Sequence, residues 1–125
     1  RRDLQTQAKN MQRPWEMGKS FDESCPVSAV QPASKIGHPV KGAIWLKVNG
    51  KVKQSGDLNQ QIWPVDEAVA FLSTFVELAP GDIIMNGTPA GVSPCVAGDT
   101  LEGHIDGVGD LFVSYAAAEK QRAAA

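Results

Sequence analysis

Along this chain the apolar positions fall into blocks whose period changes from one segment to the next. Leu4, Ala8 and Met11 recur at i, i+4 and i+7, the stripe of an amphipathic helix. On such a helix Arg2 and Gln5, three apart, share another face and can act together. Pro14 ends the helix, because the residue before a proline, Arg13, is pushed out of the α region. The stretch "PWEMGKSFDESCP" then reads as a loop punctuated by prolines and glycine. In "AIWLKVNGKVKQ" the period drops to two. Ile44, Leu46 and Val48 alternate with Trp45 and Lys47, and Asn49-Gly50 supplies a type I′ turn, which predicts a β-hairpin. Val65, Val69, Leu72 and Val76 return to helical spacing, with Pro64 near the start and Pro80-Gly81 just past the end. The apolar run "DIIMN" predicts a short buried strand, and "TLEGHIDGVGDLFVSYA" predicts two strands about a Gly-rich turn. The sum is a strand-rich α+β domain with two helices, not a βαβ sheet. The tail, 116–125, has no apolar face to dock and is expected to fray.

Composition narrows the functional classes. The 125 residues suit one domain, and a formal net charge of −2 with scattered Lys and Arg excludes a nucleic-acid surface. No apolar stretch approaches the roughly 20 residues of a membrane span, and no secretory signal is seen. Cys25 and Cys95 therefore read as thiols of a cytoplasmic protein. The chain opens "RRDLQ", with no methionine and helical spacing already running at residue 4. It is expected to belong to something longer.

Candidate chemistry concentrates in three places. In "GDIIMNGTPAGV" turn chemistry places Gly87 and Gly91 at positive φ with Pro89 stiffening the backbone. This is either a plain connection or a site where N–H groups and the Thr88 hydroxyl converge on an anion or carbonyl. It lacks the Gly-Lys-Ser/Thr ending of a phosphate loop. Lys19 is either a solvated charge or, among Trp15, Met17 and Phe21, an anion anchor. Asp57 and Asn59-Gln60-Gln61 fit capping as well as a site. His38 and His104 are not read as metal sites.

The order of these blocks carries more than any one of them. "RDLQ", "PWEMGKSFD", "CPVS", "WLKVNGKVKQSGD", "LAPGDIIMNGTPAGV" and "GDTLEGHIDGVGDL" together resemble the fumarylacetoacetate hydrolase family, in its acylpyruvate and fumarylpyruvate hydrolase branch. The match runs in family order from Arg2 to about Tyr115, so residues 1–115 are expected to be the C-terminal portion of that catalytic domain. The resemblance implies a mixed β-roll, usually a homodimer, and a divalent metal, Mg²⁺ or Mn²⁺. It implies metal ligands, a Glu-x-Glu pair and an aspartate, upstream of Arg1, with none in this chain, and a missing lid helix. It implies that Gln5 contacts substrate oxygens, that Arg2 shares its helix face, that Lys19 neutralises charge near metal-bound oxygens, and that Gly87 and Thr88 hold the pyruvate-end carboxylate. Asn86 departs from the threonine that many relatives carry there.

The implied substrate is a small 2,4-dioxo acid in bacterial aromatic-acid catabolism. Its C–C bond breaks only if the departing pyruvate carbon can hold negative charge, which a divalent metal on the 1-carboxylate and 2-oxo group makes possible. Fumarylpyruvate, split to fumarate and pyruvate, is the favoured substrate. The alternatives are oxaloacetate decarboxylation or a related 2-oxo acid isomerisation on the same fold, or a metal-free non-catalytic subunit.

Overall fold

The computed structural model describes residues 1–117, so most of the tail expected to fray lies outside the described residues. Helix α1 spans Arg2–Asn10, with Asp3 in its first turn and Lys9 in its last, both suited to the helix dipole. Its end is set before Pro14 is reached. Gln12 takes φ 52, the Arg13 N–H donates to the Ala8 carbonyl at 2.8 Å and the Gln12 N–H to Lys9 at 3.2 Å, which together make a Schellman ending. The next stretch is not wholly a loop. Glu16–Lys19 forms a single-turn helix, α2, too short for any period to show in the sequence. A second single turn, α3, covers Ala33–Ile36 and stops at Gly37, φ 72.

The hairpin forms as its alternation predicts: β1 is Ala43–Val48, β2 is Lys51–Asp57, and Asn49 and Gly50 take φ 50 and 74. Those two positive values are what a type I′ turn requires. The Gly-rich turn at 106–108 joins β3, Thr100–Ile105, to β4, Gly109–Ser114. The sheet order is β2-β1-β3-β4, and every pairing is antiparallel. Asn49 also ties the hairpin turn to β3, donating to Asp99 at 2.8 Å and accepting from the Thr100 N–H at 3.0 Å.

One irregularity in the ladder decides which side chains face where. Leu46 pairs with Gln54 but Lys47 pairs with Val52, so Lys53 is an extra residue, a β-bulge. Without it Val52 and Gln54 would share a face. With it, Val52 turns outward, 59% exposed, and Gln54 turns inward, 8% exposed. Gln54 then joins Ile44, Leu46, Gly103 and Ile105 on the apolar face, opposite Trp45, Lys47 and His104.

Two expectations change. The helix predicted through Val76 is α4, Val65–Leu72, followed by turns. The Ser73 and Thr74 hydroxyls donate to the carbonyls of Ala70 and Phe71 at 2.7 and 2.8 Å, taking acceptors that further helical turns would use. Residues 82–86 are not a buried strand: Ile83 and Met85 are 64% and 75% exposed, and no strand among the described residues pairs with them. An apolar run becomes a strand only where a neighbouring edge takes its backbone groups.

Candidate active site around the Gly-Thr-Pro turn

The turn at Gly87-Thr88-Pro89 is held against β2 at three successive places. The Pro89 ring lies over Gly56, where a Cβ would come within 3.2 Å of it. The buried Gln54 amide donates to the Thr88 hydroxyl at 2.9 Å and to the Pro89 carbonyl. Gly91, φ 105, runs so close to the Lys53 carbonyl that any Cβ there would overlap it. Gly87 also has positive φ, 103, but faces open space. The glycine conformations expected at 87 and 91 are therefore present.

Two cavities meet at this turn. One, of about 590 Å³, lies between Asn86–Pro89, the 3-10 turn Leu58–Gln60 and an aromatic wall of Trp63, Phe71 and Phe75. These rings meet in series, the first pair tilted and the second edge-to-face, with centroids 5.0 and 5.1 Å apart. The other, of about 420 Å³, lies over the apolar sheet face, with Ile44, Leu46, Ile105 and Leu111 as floor and Pro26 and Val27 at the side. Thr88 and Pro89 line both. Asp57 shapes the first cavity through capping: it accepts from the Asn59 N–H at 2.9 Å, and its own N–H donates to Gln60 at 2.9 Å.

The remaining predicted residues collect elsewhere. Helices α1 and α2 pack closely at Gly18, where a Cβ would meet the Gln5 backbone nitrogen at 3.0 Å, and the Arg1 amino group donates to the Gly18 carbonyl at 3.2 Å. Gln5, half-buried, and Lys19, the residue after Gly18, therefore belong to one unit with Arg2. Arg2 reaches across to donate to the Ser93 carbonyl at 3.1 Å, five residues beyond Thr88. Neither cavity is lined by Arg2, Gln5 or Lys19. The apolar company of Lys19 is not a buried pocket, since Lys19, Trp15, Met17 and Phe21 are all exposed.

Sequence reading passed over one constellation. His104 stacks on Trp45, centroids 5.2 Å apart, with the Lys47 ammonium 4.3 Å above the Trp45 ring centre. Its Nδ1 faces Asp110 at 2.6 Å and its Nε2 faces Asp106 at 2.8 Å. Hydrogen bonds to Asp110 first and Asp106 second raise the His104 pKa, because the imidazolium donates to both carboxylates at once. Asp106 is lowered in turn, by His104 first and by the Ala43 N–H second. Asp106 stands two residues after His104, so the i+2 spacing was visible; the cross-strand partner Asp110 was not. This is an ion-pair cluster on the polar sheet face. Among the described residues no three His, Cys, Asp or Glu side chains are grouped to hold a metal ion, and Cys25 and Cys95 are free thiols. No helix among them is long and apolar enough to cross a membrane.

Fold and site together define an α+β domain in which a glycine-framed Thr-Pro turn is clamped to an antiparallel sheet. Residues 1–113 match the fumarylacetoacetate (FAA) hydrolase C-terminal family, and the chain belongs to it. It is 42% identical over 119 residues to the fumarylpyruvate hydrolase of a Ralstonia species, covering 95% of this chain and 62% of that protein. It is also 42% identical over 107 residues to the human mitochondrial oxaloacetate tautomerase FAHD1, covering 86% of this chain and 48% of that one. The fumarylpyruvate hydrolase of Pseudomonas aeruginosa, solved in complex with Mn²⁺ and pyruvate, superposes with a TM-score of 0.88 at 48% identity, over 92% of this chain and 49% of that one. The chain thus spans between 48% and 62% of the length of these relatives.

Proposed function

We propose that the protein containing these residues hydrolyses a C–C bond of a 3-acylpyruvate, with fumarylpyruvate, giving fumarate and pyruvate, as its substrate. The observation that carries this reading is the match over nearly the whole chain to two fumarylpyruvate hydrolases, one of them holding pyruvate. In this reading Gly87 leaves its N–H open to a ligand and Thr88 offers a hydroxyl, two donors suited to the pyruvate-end carboxylate. Gln5 and Arg2 orient the substrate oxygens from α1. Lys19 is a fixed cation beside the oxyanion that forms when the pyruvate carbon leaves. The described residues do not by themselves fit a divalent ion, so the reading assigns Mg²⁺ or Mn²⁺ to ligands outside residues 1–117. That ion would make the departing enolate less basic. A homodimer in the cytoplasm completes the proposal.

A second reading has its own support, because the oxaloacetate tautomerase matches at the same 42% identity. Both reactions handle a 2-oxo acid through its enol or enolate. They differ in whether water attacks the distal carbonyl. The full-length protein, supplied with Mg²⁺ or Mn²⁺, should release acid from fumarylpyruvate. Rapid keto–enol exchange of oxaloacetate with no acid release from any acylpyruvate would replace the hydrolase reading with the tautomerase one.

A further inference from the structure

Gln54 is the one buried polar side chain among the described residues, on a face otherwise formed by aliphatic groups and glycine. Its partners lie 34 and 35 residues away, in the Thr88-Pro89 turn. A carbonyl oxygen can only accept, so the Gln54 amide atom against the Pro89 carbonyl is the nitrogen. The same nitrogen is 2.9 Å from Thr88 Oγ1, and its two protons serve one acceptor each. The Thr88 hydroxyl therefore accepts from Gln54. Its own proton must point elsewhere, and no other hydrogen bond to Thr88 Oγ1 occurs among the described residues.

We infer that Gln54 is a positioning residue that turns the Thr88 hydroxyl proton toward the ligand, making Thr88 an obligate donor there. The inference rests on the reading of Thr88 as a carboxylate clamp and extends it to selectivity. A clamp with fixed donor polarity favours groups that accept, the carboxylate and 2-oxo oxygens of a 2-oxo acid, over a protonated amine end, which only donates. The bulge at Lys53 is what allows it, since it brings a polar residue onto the apolar face directly under the turn.

The test uses full-length protein, pyruvate as the binding probe, and whichever of fumarylpyruvate or oxaloacetate the wild type turns over. In Gln54→Glu the ionised side chain accepts instead of donating, so the Thr88 proton turns back toward it. At pH 8 pyruvate affinity should fall about tenfold or more, with KM rising more than kcat falls. As pH falls through the carboxyl's pKa, which burial raises above about 4.3, the protonated side chain donates again and the variant-to-wild-type ratio should recover. In a Thr88→Val background Gln54→Glu should have little further effect. A pH-independent loss, or an unchanged affinity, overturns the inference while leaving the functional reading standing. If Gln54→Glu fails to fold, Gln54→Met completes the same cycle: non-additive losses with Thr88→Val support the inference and additive ones overturn it. A wild type that binds no pyruvate and turns over neither substrate overturns the functional reading itself, and this inference with it.

Discussion

Gly87 and Gly91 frame the same turn but are required for different reasons. At Gly87 only the positive φ excludes a side chain, since a Cβ there would meet open space. At Gly91 the φ of 105 is joined by overlap with the Lys53 carbonyl. Gly87→Ala should therefore cost about 1–2 kcal/mol, and Gly91→Ala visibly more, in urea unfolding of the full-length protein. Equal losses would mean that the turn is not seated on β2. Lys19→Met asks a different question. Lys19 is exposed at the end of α2, so its removal should leave the melting temperature nearly unchanged while lowering kcat at least about a hundredfold. Unchanged turnover would make it an ordinary solvated charge. The positive φ at both glycines was legible from turn chemistry alone. The inward placement of Gln54 was not, because alternation along β2 assigns it to the face of Val52 and only the paired strand reveals the bulge.

Among the elements, the β3–β4 hairpin carries the charge-sensitive contact. The pKa of His104 is raised, so its pairing contributes fully below the unfolded histidine value of about 6.5 and is lost as pH rises through the higher folded value. The pKa of Asp106 is lowered, so its share is present above the unfolded carboxyl value and lost as pH falls through the folded one. Both contributions coexist between those limits. The melting temperature should therefore decline from pH 6 to 8.5 more steeply in the wild type than in His104→Gln. Parallel profiles would show that the Asp106–His104–Asp110 row is not held in solution. Elements with a long period and a diagnostic turn, namely α1, the β1–β2 hairpin and the β3–β4 hairpin, were readable along the chain. The single turn α2 has no room for a period. Residues 82–86 were misread because strand formation depends on a pairing edge that no local pattern encodes.

At the scale of the whole molecule, the exposure of large apolar side chains among the described residues is the informative quantity: Ile62, Phe75 and Met85 are 94%, 70% and 75% exposed. Val48, at 7%, is the one apolar side chain of the described residues that is buried. The sheet is well formed, yet much of its apolar face and the aromatic wall lie open. Residues 1–125 alone should bind a hydrophobic dye and unfold without a sharp transition, and the full-length protein should do neither. A sharp, dye-free transition for the 125 residues would show that these faces close on themselves.

A sheet distinguishes odd from even positions, and the extra residue at Lys53 shifts that parity once, midway along β2. Lys53 therefore contributes a backbone position, its carbonyl beneath Gly91, as well as a side chain. Deleting Lys53 would heal the ladder and leave every other side chain on its face, yet it would remove the carbonyl on which Gly91 rests. Such a variant should keep its β-sheet circular dichroism while losing affinity for pyruvate, and undiminished affinity would show the Lys53 carbonyl to be incidental. A single-residue deletion could thus silence the site and leave the sheet intact.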